Sequence, residues 1–165
     1  MRLRTLDPSP APLPRFAMDA SRLTAHAAAS PVIDVAAGLV FRAGKLLVAQ
    51  RKVGSHLAGL WEFPGGKREP DESWEDCLRR ELREELAVEV EVGRCFSEVT
   101  HAYPGKTVRL RFFVCSLVSG EPRPVDCAAL GWVTPEGLGD REFPPADEQL
   151  LATLPSAPEF SAKVL

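Results

Sequence analysis

The segment from Ser73 to Leu86 constrains this chain more than any other. Leu78, Leu82 and Leu86 recur every four residues and form one apolar stripe along a helix, a stripe that must be buried against a second layer. Ser73 supplies an N-cap, and Asp76 stands where a capping box usually carries Glu or Gln. Arg79 and Arg83 flank the stripe on one side. Glu81, Glu84 and Glu85 lie on the other, spaced i, i+3 and i+4 and sharing about 100° of helix arc. Carboxylates that close repel one another unless positive charge sits among them. Taken alone, they fit a solvated acidic face with Arg80 nearby. They also fit a hard divalent cation, since carboxylate oxygens suit Mg²⁺ and Mg²⁺ in turn binds phosphates.

Strand patterns surround this helix. Val32 to Phe41 reads as a buried strand, and Ala43-Gly44 as the turn into a partner, Lys45 to Arg51. A loop through Gly54 and Gly59 leads to a short strand, Trp61-Glu62-Phe63. Pro64-Gly65-Gly66-Lys67 reads as a cluster of structure breakers. After the helix, strands are predicted at Val88 to Thr100 and Thr107 to Val118, joined by Tyr103-Pro104-Gly105-Lys106, a type II turn sequence. A strand near Ala129 to Val133, a helical turn near Pro135 and a last helix from Pro145 to Leu154 complete the domain.

Length bounds the rest. The 165 residues suit one domain with a real core. Residues 1–30 read as a disordered Pro/Ala-rich tail, with Met18 a second candidate start; 31–156 form the domain, and 157–165 a short C-terminal tail. The net charge of −3 argues against a duplex nucleic acid partner. No run approaches the roughly 18 apolar residues of a membrane span. Cys77, Cys95, Cys115 and Cys127 form no C-x-x-C pair; they read as small core residues in a reduced, cytoplasmic setting rather than as a zinc site.

Gly66, Glu72, Arg80, Glu81, Leu82, Glu84, Glu85 and Val88 together resemble the Nudix box, a long pattern with many fixed positions. Ala87 departs from it, standing where the family usually has Gly. A left-handed Ala there would cost about 1 kcal/mol, and no catalytic group is lost. From Val32 to Leu154 the chain is similar to the MutT-like branch, the nucleoside triphosphate pyrophosphohydrolases. Gln50-Arg51, Leu60 to Lys67, Gly120-Glu121-Pro122, Gly131-Trp132 and Phe143-Pro144-Pro145-Ala146-Asp147-Glu148 carry that likeness.

The resemblance implies an α/β fold, an α/β/α sandwich around a mixed β-sheet with a loop-helix-loop catalytic motif. It implies Mg²⁺, with Mn²⁺ as a substitute, held by Glu81, Glu84, Glu85 and the Gly65 carbonyl. Ungapped counting from Gly120 to Trp132 places Asp126 at a further acidic position near the metal, although a plain loop Asp is equally open. Arg80 would pair with Glu72 and position the glutamates, or form an i,i+4 surface pair with Glu84. Water would attack the β-phosphorus, with Glu81, or else Asp126, as general base. Arg51 and Lys106 are candidates for substrate phosphates, or simple strand-end cations. Phe63, Ala146 and Asp147 match base-contacting positions; Asp147 alternatively caps the last helix. An ionised Asp147 only accepts hydrogen bonds and suits a cytosine amino group, whereas a protonated one suits 8-oxoguanine.

The expected activity is therefore Mg²⁺-dependent hydrolysis of (deoxy)nucleoside triphosphates to monophosphate and pyrophosphate, of the 8-oxo-dGTP diphosphatase type that sanitises nucleotide pools for DNA repair. The alternatives are a CTP/dCTP pyrophosphohydrolase, an ADP-ribose hydrolase (suggested by Pro104) and a non-catalytic Nudix-fold module. A small nucleotide is the expected partner, and the protein is expected to be a monomer or homodimer.

Overall fold

The computed structural model describes residues 30–161. The tail expected over residues 1–30 lies outside them except for Ser30, as do 162–165. Seven strands form one mixed sheet ordered β3-β2-β1-β6-β5, with β4 on β1 and β7 on β2. They are β1 (Val32–Arg42), β2 (Lys45–Gln50), β3 (Trp61–Glu62), β4 (Gly65–Lys67), β5 (Glu89–Tyr103), β6 (Lys106–Ser119) and β7 (Ala129–Val133); the α-helices are α1 (Trp74–Leu86) and α2 (Glu148–Thr153). Among the described residues, only β1 and β6 run parallel, from Val32 opposite Thr107 to Val40 opposite Cys115.

Period-two alternation sorts the strand side chains between two layers. Ala36, Val40, Leu47, Phe113 and Cys115 face α1, where Leu78, Leu82 and Leu86 are fully buried. Each such leucine stabilises the fold by roughly 1.5–3 kcal/mol. Ala37, Leu39, Leu46, Val48 and Phe112 face the opposite layer with Leu150 and Leu154. The result is the α/β/α sandwich expected.

Turn chemistry follows the sequence closely. Ala43 (φ 51°) and Gly44 (φ 71°) both lie left-handed in the β1–β2 turn, as a type I′ hairpin requires. Gly105 (φ 80°) follows Pro104 in the β5–β6 turn. Ser73 Oγ accepts from the Asp76 amide at 3.0 Å and donates to the Asp76 carboxylate at 2.8 Å. Asp76 thus meets the hydroxyl of the cap. Ala87 ends α1 at φ 57°, so the chain does adopt the left-handed cap without glycine.

Two expectations change. Gly65–Lys67, read as a breaker, is a short strand: Ala37, Ala36 and Val35 pair antiparallel with Gly65, Gly66 and Lys67. β6 pairs along one edge of β1, and the other edge takes Gly65 and Gly66, whose lack of a Cβ permits the close approach to Ala36. The packed chain also continues past Ser156. Ala157 is buried, and Phe160 sits edge-on against Phe41 with centroids 5.0 Å apart. Residues 157–160 therefore belong to the domain, because Phe41 would otherwise be uncovered. No helix among the described residues is long and apolar enough to cross a membrane.

Candidate active site

Two glycines set α1 against the sheet edge. At Gly65 (φ 153°) a Cβ would stand 2.0 Å from the Ala36 carbonyl oxygen. At Gly66 a Cβ would meet the Glu81 carboxyl at 2.3 Å. The acidic face of α1 thus lies directly on β4, in space that only a bare backbone leaves open.

Arg80 organises this face. Its guanidinium donates to Glu72 at 2.7 and 3.2 Å and to Glu81 at 2.7 Å. Glu84, 61% exposed, is only at 3.6 Å. Of the two pairings open for Arg80, Glu72 is the dominant one. Hydrogen bonding from Arg80 and from the Glu69 amide holds the Glu72 carboxyl down at about 2. Glu81 is turned away from solvent, its side chain 15% exposed.

Glu85 behaves oppositely. Burial, then the charges of Glu62 and Glu81, push its carboxyl up to about 8. Glu62 is itself raised by burial, against the pull of Arg51. Glu62 and Glu85, with Asp126, Lys52, Arg51 and Ser55, surround a polar hollow of about 190 Å³ that reaches Gly65. The end of α1 brings Asp126 there. The amides of Arg123 and Val125 donate to the Leu86 and Glu85 carbonyls, both at 3.0 Å, and that of Asp126 to Glu85 at 3.3 Å. Carbonyls left unpaired at the helix terminus are thus satisfied by the loop that carries Asp126. The Asp126 carboxylate itself pairs with Lys52.

A second cavity of about 220 Å³ shares Arg51, Glu62 and Gly65 with the hollow. Phe63, Val108, Leu110, Phe112 and Ala146 make it apolar, and Asp147 stands in its wall. Phe63 stacks on Phe143, centroids 5.2 Å apart. Asp147 occupies the cap position of α2 but makes no capping hydrogen bond. It is 4% exposed, and burial, then the charge of Glu62, raises its carboxyl to about 7. The helix-cap alternative for Asp147 therefore fails: packing turns the side chain into the cavity, away from the first amides of α2.

The expected residues thus fall into two groups. Gly65, Glu85 and Asp126 line the polar hollow, Glu81 lies next to it against Gly66 and Arg80, and Glu84 stands exposed on the outer side of α1. Phe63, Ala146 and Asp147 gather in the apolar cavity. Arg51 stands at the junction, paired with Glu62. Lys106 lies over the Tyr103 ring at 5.6 Å and lines the apolar cavity, away from the polar hollow. Sequence reasoning missed Glu62, Lys52 and Tyr103. No local signal marks Glu62: between Trp61 and Phe63 strand alternation puts it on the opposite face, which is as often solvent as core, and only packing buries it. Among the described residues, no three His, Cys, Asp or Glu side chains close on one point as a ready metal cage. Arg80 holds Glu81 and Lys52 holds Asp126. The donor set is nevertheless all hard oxygen, and Glu85 among like charges lacks the positive charge its ionised form needs, so a small divalent cation fits.

The chain belongs to the NUDIX domain family, whose model matches residues 36–153. It is a hydrolase of nucleotide phosphoanhydride bonds, and enzymes of this family generally use a divalent metal. A CTP pyrophosphohydrolase from Escherichia coli is 41% identical over 120 residues, covering 73% of this chain and 89% of that one. An 8-oxo-dGTP diphosphatase from Haemophilus influenzae is 32% identical over 124 residues, covering 74% and 91%. Among solved structures, the Escherichia coli ORF135 protein superposes with a TM-score of 0.67 at 38% identity, covering 76% of this chain and 90% of that one. The MutT protein of Methanosarcina mazei gives a TM-score of 0.68 at 26% identity, covering 75% and 93%.

Proposed function

We propose that the protein cleaves nucleoside triphosphates to monophosphate and pyrophosphate in a Mg²⁺-dependent reaction, with 8-oxo-dGTP as the first candidate substrate. The observation that carries this reading is the adjacency of an apolar cavity holding a buried Asp147 to a carboxylate-lined hollow, joined at Arg51 and Glu62. The cavity takes the base and the hollow takes the phosphates. Glu81, Glu84, Glu85, Asp126 and the Gly65 carbonyl are the groups that would hold Mg²⁺. When bound, the ion would neutralise phosphate oxygens and acidify a water. Arg80 keeps Glu81 in place and Glu72 keeps Arg80 in place, so Glu81 is the positioned candidate to accept a proton. Asp126 is the second candidate.

Asp147 divides the substrate readings. Near neutral pH its raised carboxyl carries a proton part of the time, and a protonated carboxyl donates and accepts as an amide does. That supports an oxidised purine. The ionised form accepts only and supports the amino group of cytosine, the reading favoured by the 41% identity to a CTP pyrophosphohydrolase. One screen tests both. Mg²⁺-dependent pyrophosphate release is measured across 8-oxo-dGTP, dCTP, CTP and 5-methyl-dCTP, with ADP-ribose as the non-triphosphate control. Turnover of ADP-ribose alone would overturn the triphosphate reading, and absence of turnover on every nucleotide would favour a binding module.

A further inference from the structure

Arg51 and Lys52 are the two cations lining the polar hollow, and they are bound very differently. Arg51 is committed: its Nε donates to the His56 carbonyl at 2.6 Å, and its guanidinium pairs with Glu62, both side chains being less than one-third exposed. Lys52 pairs with Asp126, where the side chains are 55% and 59% exposed. An exposed pair of this kind holds by no more than about fivefold in equilibrium constant. Lys52 is therefore the exchangeable cation.

We propose that Lys52 binds the outer phosphates of the substrate and is parked on Asp126 until a metal–polyphosphate draws the pair apart. This rests on the triphosphate reading above. The base-binding cavity and the polar hollow share Arg51, Glu62 and Gly65. A nucleotide whose base lies near Asp147 thus brings its first phosphate to that shared edge and its outer phosphates into the hollow, toward Lys52.

The backbone supports an exchange of partners rather than a collapse. Asp126 remains beside Glu85 when its cation leaves, because amides of its own loop are bonded to the Glu85 and Leu86 carbonyls. Lys52 remains beside the hollow because the Arg51 amide donates to Leu60 and the Arg51 carbonyl accepts from Gly59. Beyond it the loop is loosely packed: Val53 is 94% exposed, and Gly54 and Gly59 have positive φ with no atom within 4 Å of an added Cβ.

The pair also couples the two ligands. A divalent cation alone competes with Lys52 for Asp126. A polyphosphate alone competes with Asp126 for Lys52. Together they satisfy both groups, so each raises the affinity of the other, and the coupling is reciprocal.

The test is Lys52→Met, measured by two binding assays with opposite expected signs. Mn²⁺ affinity without nucleotide, read by electron paramagnetic resonance, should tighten about threefold to fivefold as Asp126 is released. Pyrophosphate affinity in saturating Mg²⁺, read by calorimetry, should weaken about tenfold, while nucleoside monophosphate affinity stays unchanged. Asp126→Asn should tighten metal-free pyrophosphate binding, and Lys52→Arg should restore the behaviour of the original chain. Equal weakening of Mn²⁺ and pyrophosphate in Lys52→Met, or no change in either, overturns the proposal. So does a matching loss for the monophosphate. The two principal assays use metal and pyrophosphate, so they are decided independently of which nucleotide the enzyme turns over; the monophosphate serves as the control that lacks outer phosphates.

Discussion

Replacing Gly66 with Ala separates site geometry from stability. The added Cβ would lie 2.3 Å from the Glu81 carboxyl, where ordinary contact begins at 3.4 Å. The carboxyl must therefore withdraw by about 1 Å. Stability should barely change, because the displaced group is the end of a flexible side chain, and an Ala in a strand gains roughly 0.5–1 kcal/mol over Gly. Function should change greatly. Glu81 is set by Arg80, which is set by Glu72, and misplacing a reacting group by about 1 Å costs on the order of 100-fold. The expected outcome is a melting temperature within a few degrees of the original and a kcat lowered about 100-fold, read by pyrophosphate release and circular dichroism on one preparation. Two controls bracket it. Gly65→Ala sets a Cβ 2.0 Å from a backbone oxygen and should unfold the β1–β4 pairing; Gly38→Ala meets Leu82 at 3.3 Å and should lower stability slightly while sparing kcat. Turnover of Gly66→Ala within threefold of the original would refute the claim that Glu81 is held where the chemistry needs it.

Four further outcomes follow from the same contacts. Glu85→Gln should lower kcat by at least 100-fold at saturating Mg²⁺ while the fold persists, as gel filtration and circular dichroism would show; near-original turnover would remove Glu85 from the metal site. The Asp147 carboxyl is raised from 3.8 to about 7 by burial. Its stabilising contribution is therefore full below pH 3.8 and is lost as pH rises through 7, so Asp147→Asn should flatten urea-measured stability across that window. The same substitution should shift the ratio of kcat/KM for 8-oxo-dGTP over dCTP by about tenfold to a hundredfold, the size of one hydrogen bond gained or lost; an unmoved ratio would leave base reading to Phe63 and backbone groups. Phe160→Ala should destabilise the domain by about 1–3 kcal/mol through the lost Phe41 contact, measured by urea unfolding.

Much of this molecule is legible because its signals are local. The leucine stripe, the Ser73 cap, the Pro104-Gly105 turn and the carboxylate spacing on α1 are each set within a few residues, and each stands in the structure as expected. What tertiary structure decided involves residues far apart in sequence. Lys52 and Asp126, 74 positions apart, meet only because one loop is hung from the end of α1 and the other from β2. The β4 strand exists because β1 offers it an edge, although its glycines signal the opposite locally. Glu62 and Asp147 look like ordinary carboxylates in the sequence. Burial beside one another and beside Arg51 makes them functional candidates, since a carboxyl's proton affinity is set by the solvent and charge around it. Pattern and spacing therefore determined the scaffold and the carboxylate-bearing helix, while the partners that would hold phosphates and read a base were chosen by packing.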